Sequence, residues 1–295
     1  MQNDNVKSYL HLHLIVFIWG FTAILGELIS LDALPLVWFR MLMAVGFIVI
    51  FIFYKKIDLT IPRKTIFAFL LLGLVIALHW LTFFKAIKVS NVSVTLACLS
   101  TGAFFTSFLE PILYKRKVVW YEVFFGLIVV GGLYIIFNFE GDYYLGIILA
   151  LTSAFLSALF SVINGKYAKM YDSTVISFYE LFGGVLCFSI YLLFTGSFSR
   201  EFFILQPSDW VYLIILSSVC TAYAFIASVK VMKFISPYTV MLTINLEPIY
   251  GIILALLIFK DKEKMSQEFY FGAIIILLTV VLNGIIKYRL KNKRD

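Results

Sequence analysis

Six ionisable side chains lie inside stretches of sequence that are otherwise apolar, and they are the residues best suited to chemistry: Glu27, Arg40, His79, Glu110, Glu180 and Glu247. An ionisable group at bilayer depth costs on the order of 3 kcal/mol on insertion scales. Such groups therefore face the protein interior or a wet cavity, where they can bind a solute, an ion or a proton. The alternative for each is a structural hydrogen bond that fastens two helices.

Glu247 has the most informative neighbour among the acids, because Pro248 follows it directly. The proline ring has no N–H and leaves the Ile244 carbonyl unpaired, so we predict a helix kink at Pro248. A carboxylate beside such a loosened backbone can bind a cation or a proton, which makes Glu247 a candidate for coupling or gating. A purely structural kink, with Glu247 hydrogen-bonded across helices, is the competing interpretation.

His79 lies in an aromatic stretch with Trp80, Phe83 and Phe84. Aromatic rings can hold a solute by stacking while the imidazole supplies a titratable polar contact. Alternatively, His79 makes an interhelical hydrogen bond that only fastens its helix. Aromatic and polar side chains on other apolar faces complete the predicted lining of a solute path: Trp19, Trp80, Ser157, Tyr223, Tyr238 and Asn245.

Three further charges are candidates for coupling or gating. Glu27 is expected to face a neighbouring helix near one membrane interface. Arg40 and Glu180 carry opposite charges 140 residues apart, at equivalent positions of the internal repeat described below. This allows either a symmetric ion pair or two separate gates, although Arg40 could instead extend its head group toward the interface. Glu110 beside Lys115 is as compatible with a simple salt bridge as with a gate.

The elements that must position these side chains are membrane helices. Apolar residues make up 62% of the sequence and charged residues 14%, against about 45 to 50% and 25% in soluble domains. The apolar residues gather into blocks of roughly 20, enough to cross about 30 Å of hydrocarbon as a helix. We number ten predicted spans in order: 9–30, 34–54, 65–84, 92–114, 118–139, 143–164, 173–195, 208–229, 235–259 and 268–288. The predicted fold class is an all-α integral membrane protein with ten transmembrane helices.

The distribution of charge predicts an orientation and argues against other functions. With a cytoplasmic amino terminus, 17 Lys and Arg residues fall in inside segments and 6 in outside segments, which satisfies the positive-inside rule with both termini cytoplasmic. The net charge of +7 does not indicate a nucleic-acid partner, because the cations are scattered through the breaks between spans. The sequence also lacks zinc-protease, nucleophile-elbow and Walker motifs. We therefore predict no catalytic residue, metal or cofactor.

An internal repeat divides the chain. Lys85-Ala-Ile-Lys88 recurs as Lys230-Val-Met-Lys233, 145 residues later, and the same offset places Lys115 on Lys260. A competing offset of 137 residues matches 109–112 with 246–249 letter for letter. We prefer 145 because it aligns both loops that flank span 4. The prediction is two five-helix repeats, 1–139 and 140–295, of which the second is inverted because five crossings are an odd number.

These features together resemble the EamA family of the drug/metabolite transporter superfamily. The motifs that carry the resemblance are Trp19-Gly20 in span 1, Arg40 early in span 2 and Leu246-Glu247-Pro248 in span 9. The resemblance implies a bacterial inner-membrane carrier, often an exporter of amino acids or other metabolites.

Two departures make the resemblance closer in the second half. The family commonly has a proline in the middle of span 4, where this sequence has Ala103, and an acidic residue after that span, where it has Arg116. In the second half, the corresponding family positions are Pro248 and Asp261. The carry-over of family features is therefore more secure there.

The predicted function is a secondary transporter that exports a small, amino-acid-like polar metabolite by alternating access. The expected partners are the solute, the lipid bilayer and, as a candidate coupling ion, a proton at Glu247, His79 or Glu27. Facilitated diffusion is equally compatible, and the sequence leaves the oligomeric state open. A channel or facilitator is the alternative function, and an intramembrane enzyme is a more remote one.

Overall fold

A computed structural model describes residues 2–115, 117, 120–139 and 141–292, and the regular structure of these residues is helical. Arg116, the departure noted above, lies outside the described residues. The α-helices are α1 (Gln2–Leu28), α2 (Ala33–Lys55), α3 (Arg63–Val89), α4 (Val92–Leu99), α5 (Gly102–Tyr114), α6 (Trp120–Phe139), α7 (Tyr144–Tyr167), α8 (Ser173–Phe194), α9 (Pro207–Ser217), α10 (Ala224–Val231), α11 (Pro237–Ile244), α12 (Glu247–Phe259) and α13 (Gln267–Asn292). A π-helix, Ser218–Tyr223, joins α9 to α10. Short 3-10 turns lie at Gly141–Tyr143, Glu201–Phe203 and Lys260–Glu263.

Within the described residues, eight helical segments are long and apolar enough to cross a membrane, and they coincide with predicted spans 1 to 4 and 6 to 9. Two shorter apolar helices, Phe124–Ile136 and Gln267–Thr279, coincide with spans 5 and 10. The protein is therefore a multi-pass membrane protein. Its helices satisfy their backbone hydrogen bonds internally, as the bilayer requires.

Spans 4 and 9 are each broken into two helices, and the two breaks match. Helices α4 and α5 begin and end at positions that lie 145 residues before the beginnings and ends of α11 and α12, respectively. The residues that directly follow α5 and α12 also share a positive φ, 54° at Lys115 and 51° at Lys260. These bounds agree with an offset of 145 and not with the competing one of 137.

The packing partners of the two halves are exchanged. Helix α3 packs against α7 and α8, whereas α9, α10 and the π-helix between them pack against α1 and α2. Helices α4 and α5 lie on α7, and α11 and α12 lie on α1. Helix α6 packs on α13, and α4 packs on α12. This arrangement fits a two-repeat membrane fold in which each half completes the other.

Glycines bring α3 and α8 into backbone contact. A Cβ at Gly73 would overlap the carbonyl oxygen of Glu180, and one at Gly183 would lie 2.5 Å from the carbonyl oxygen of Leu70. Membrane helices associate without a hydrophobic driving force, so close van der Waals contact at small residues stabilises them. The backbone of α3 is consequently fixed against the turn of α8 that carries Glu180.

Candidate functional site

A narrow cavity of about 50 Å³ lies between the two halves of the chain. Its lining residues come from both halves: Trp19, Thr22, Arg40, His79, Trp80, Phe83, Leu99, Ser157, Phe160, Phe225, Ile244 and Glu247. Leu99 ends α4 and Ile244 ends α11, so both helix breaks open onto this space. Trp80 and Phe225, which are 145 residues apart, meet across it with ring centroids 6.0 Å apart.

Arg40 supplies a buried cation to the cavity, with 1% of its surface exposed. Its Nε donates a hydrogen bond to the Thr221 hydroxyl at 2.7 Å. The guanidinium carbon lies 3.9 Å from the centroid of the Trp80 ring, which is a cation–π contact. Among the described residues, Nη1 has no hydrogen-bond partner. The cation is therefore held at one side and free to bind an anionic group at the other.

The π-helix explains how span 8 reaches this arginine. Thr221 donates its hydroxyl proton to the carbonyl of Leu216, five residues earlier, at 2.7 Å, which leaves the hydroxyl oxygen to accept from Arg40. The carbonyl of Cys220 accepts from Trp19 Nε1 at 3.1 Å. Single π-turns inside helices are frequent at functional sites because they release backbone groups from the helical ladder.

Glu247 supplies the opposite charge. It is the first residue of α12 and is 6% exposed. The described residues provide no hydrogen bond or salt bridge to its carboxylate, which interacts electrostatically with Arg40. The amino end of a helix favours a negative charge. Pro248 is the second residue of α12, where a missing N–H costs no helical hydrogen bond. The break at 245–246 directly precedes this helix.

His79 both lines the cavity and fastens α3 to α7. Its Nδ1 lies 2.9 Å from the carbonyl oxygen of Ser153. Because a carbonyl oxygen can only accept, Nδ1 carries the hydrogen and Nε2 is the nitrogen left for a solute. Ser153 in turn donates its hydroxyl proton to the His79 carbonyl at 3.0 Å. Phe160 packs beside the imidazole, with ring centroids 5.5 Å apart.

The structure brings together six of the sequence-derived candidates: Trp19, Arg40, His79, Trp80, Ser157 and Glu247. Three others lie outside the cavity lining. Tyr223 is 44% exposed on the outer surface and bonds His11 on α1 at 2.9 Å. Tyr238 and Asn245 are buried in α11 and at its end. Arg40 and Glu180 are not paired with each other, since Glu180 accepts from Asn164 on α7.

Glu27 lies at one end of the molecule, where the two halves are joined by charged groups. It forms a salt bridge to Lys262. Nearby, the buried carboxylate of Glu263 accepts from the backbone N–H groups of Val92 and Ser93, at 3.0 and 2.9 Å. These carboxylate contacts close the end of the bundle where α1 ends and α4 begins, which we call the Glu27 end.

Several lining residues escaped the sequence-based prediction, including Thr22, Phe160 and Phe225. The hydrogen bond of Arg40 to Thr221 was not predicted either. The sequence 218–223 contains no proline or glycine, so nothing in it signals a π-helix. Phe225 had a usable signal, because it lies 145 residues after Trp80 and equivalent residues meet near a pseudo-twofold axis.

Comparison with known proteins identifies the family. Residues 6–138 and, separately, 144–285 match the EamA-like transporter family. A crystal structure titled only as that of a protein superposes with a TM-score of 0.70, over 95% of this chain and 98% of its own, at 13% identity, and so it shows the fold alone. Comparison with curated proteins finds no match. The two family matches together span nearly the whole sequence, and the chain belongs to the EamA-like transporter family.

Proposed function

We propose that this protein is a secondary transporter that exports a small zwitterionic, amino-acid-like metabolite by alternating access. The observation that carries the proposal is the presence of Arg40 and Glu247, of opposite charge, in the lining of one cavity between the two halves. The solute carboxylate would bind the free Nη1 of Arg40, and its ammonium group would bind the Glu247 carboxylate.

The remaining walls fit the uncharged part of such a solute. Trp19, Trp80, Phe83 and Phe160 offer aromatic surface, and the Nε2 of His79 offers one hydrogen-bond acceptor. A site with few polar groups among apolar walls is typical of small-molecule binding.

The proposed topology has ten crossings in two inverted repeats, 1–139 and 140–295, in a bacterial inner membrane with both termini cytoplasmic. It is supported by the charge distribution of 17 inside and 6 outside and by the exchanged packing partners of the two halves. In this orientation the Glu27 end faces outward. Its salt bridge and carboxylate contacts close that side, which favours a carrier over a continuously open channel.

Counterflow into proteoliposomes tests the proposal. Vesicles preloaded with one unlabelled L-amino acid are given the same amino acid in labelled form, one member of a panel at a time. We expect accumulation for at least one member, and none for its methyl ester or N-acetyl derivative, which each lack one charge. Glu247→Gln and Arg40→Gln should lose uptake, and Tyr223→Phe, on the outer surface, should retain it. Uptake equal to empty vesicles across the panel would overturn the proposal.

Counterflow also separates a carrier from a channel, because only a carrier accumulates label transiently against its gradient. Export is tested in cells preloaded with the transported solute. Cells that express the protein should lose the solute faster than cells that express Glu247→Gln. Equal rates of loss would contradict the direction.

A further inference from the structure

A second buried polar cluster lies apart from the cavity, between α7 and α8. We propose that Glu180 and Asn164 form a proton-binding site and that its proton couples to solute movement. This inference rests on the proposed transport function for its coupling step. The proton site itself stands on the geometry of α7 and α8.

One hydrogen bond joins the two side chains, and each side chain also has a buried oxygen without a partner among the described residues. Asn164 Nδ2 donates to Glu180 Oε2 at 3.1 Å. Both side chains have 0% of their surface exposed. The two remaining oxygens, Glu180 Oε1 and Asn164 Oδ1, have no hydrogen-bond partner among the described residues. An unpaired buried acceptor is destabilising, and here two of them belong to the same pair of groups.

In the proposed site, a single proton on Glu180 gives both unpaired oxygens a hydrogen-bonding role. When Glu180 Oε1 carries a hydrogen, it becomes a donor to Asn164 Oδ1, and the amide and the carboxylic acid close a ring of two hydrogen bonds. An ionised carboxylate has no donor to offer and leaves both oxygens unpaired.

Among the described residues, no charge compensates an ionised Glu180. The cations and the histidine on the helices around it are Arg40 and Lys55 on α2, Arg63, Lys64, His79, Lys85 and Lys88 on α3, Lys166 on α7 and Lys230 on α10. Arg40 bonds Thr221 and His79 bonds Ser153. Within the described part of the chain, no cation lies within salt-bridge distance of Glu180, and Asn164 is its hydrogen-bond partner. The neutral acid is the form that suits these surroundings.

The position of the pair connects it to the cavity. Glu180 lies on the turn of α8 that the backbone of α3 contacts through Gly73, and α3 carries His79 and Trp80. Asn164 lies on α7, which carries Ser157 and Phe160 of the cavity wall. The proton therefore stabilises the contact between α7 and α8. Helix α7 lines the cavity, and so does α3, which packs on α8. Its loss places a bare carboxylate in this contact and favours separation of the helices.

The chemical step is a simple exchange with water. An O–H bond forms at Glu180 Oε1 with a proton taken from water on one side of the membrane. The same bond breaks when the rearranged protein exposes the group to the other side, and the proton returns to water there. No electron transfer or further reactant is involved.

Infrared spectroscopy of the purified protein tests the site without any solute. At neutral pH we expect a carbonyl stretching band of a protonated carboxylic acid. Glu180→Gln should remove this component, while the amide of the new side chain keeps both hydrogen bonds to Asn164 and hence the fold. Glu247→Gln is the matched control and should keep the Glu180 component. A wild-type spectrum without the band, or a band unchanged in Glu180→Gln, overturns the proposal.

Transport tests the coupling. In proteoliposomes given labelled amino acids, we expect a pH gradient to accelerate wild-type uptake several-fold, and Glu180→Gln to retain exchange but lose the acceleration. Acceleration that persists in Glu180→Gln, or a wild type that exchanges solute yet ignores the gradient, overturns the coupling step. Absence of all wild-type uptake counts against the proposed transport function instead, and the infrared band then still decides whether the proton site exists.

Discussion

The break between α4 and α5 and the break between α11 and α12 lie 145 residues apart at equivalent positions, but the side chains at the two breaks differ. At the first, Ser100 and Thr101 turn their hydroxyls back to the carbonyls of Ala97 and Cys98, at 2.6 and 2.8 Å. At the second, Glu247 stands in the cavity with Pro248 beside it. The repeat thus determines the shape of the site, and the departures from the repeat determine its charge.

The same contrast holds for Arg40 and Glu180, which occupy equivalent positions. Arg40 is held against Trp80 in the cavity, whereas Glu180 is paired with Asn164 away from it. One half therefore supplies a cation to the cavity, and the other half supplies an acid to a helix contact. Equivalent backbone positions thus hold side chains in unlike surroundings.

The largest expected effect is the difference in stability between a substitution at Arg40 and one at Glu180. Arg40→Gln removes the hydrogen bond to Thr221, the cation–π contact with Trp80 and the charge that interacts with Glu247. It should therefore destabilise the fold by about 3 kcal/mol or more. Glu180→Gln should change stability by less than about 1 kcal/mol, because the glutamine oxygen can accept the hydrogen bond from Asn164 as Glu180 does. Chemical unfolding in detergent measures both. Equal losses in the two variants would contradict the asymmetry, and Arg40→Gln with Glu247→Gln should recover part of the loss.

Proline substitutions sharpen the comparison of the two breaks. Ala103→Pro places a proline where the second half has Pro248, at the second residue of α5, and should cost less than about 1 kcal/mol. Ala97→Pro, inside α4, should cost about 3 kcal/mol or more, because an interior proline removes a helical hydrogen bond. Thermal unfolding compares them. A severe loss in Ala103→Pro would show that the two breaks differ in backbone as well as in side chains.

The contact of α3 with α8 predicts an intermediate effect. Gly73→Ala should destabilise the protein by about 1 to 3 kcal/mol, because the added methyl group meets the Glu180 backbone, which cannot yield as a side chain could. Gly46→Ala is the control, since nothing lies within 4 Å of a Cβ at that position. It should leave stability unchanged or raise it slightly. Similar losses in both variants would argue against a tight α3–α8 contact.

The smallest effect concerns the caps that begin α4 and α11. Asn91 accepts from Val94 N at 2.8 Å, and Ser236, 145 residues later, accepts from Thr239 N at 3.3 Å. Replacing either by alanine should cost about 1 kcal/mol. The loss should be larger for Asn91, which is buried and also donates to the Met265 sulfur at 3.1 Å. A larger loss at Ser236 would reverse this ranking.

The sequence was sufficient for the parts of the fold that depend on hydropathy and on proline. The apolar blocks, the offset of 145 and the break before Pro248 all follow from residue types. The break at 100–101 does not, because it occurs without proline, at two residues whose hydroxyls compete for helix carbonyls. Such competition also occurs in unbroken helices, so it gives no clear signal.

Most of the charged and aromatic residues chosen from the sequence line the cavity, whereas the residue chosen from span 8, Tyr223, does not. Tyr223 was assigned to the path from an unbroken helical face. The π-helix adds a residue to that turn and rotates the following face by about 100°, which leaves Tyr223 on the outer surface and Thr221 against Arg40. Side-chain faces can be extrapolated along a helix only where its hydrogen-bond pattern is regular.

The central claim is that one cavity between the halves binds a zwitterion through Arg40 and Glu247, and ligand-dependent thermal unfolding tests it most directly. A ligand that binds only the folded state raises the melting temperature. For a panel of L-amino acids in detergent, we predict a rise with at least one member, none with its ester or N-acetyl form, and none in Glu247→Gln. A rise of the same size in Glu247→Gln, or with the derivatives that lack one charge, would contradict the account.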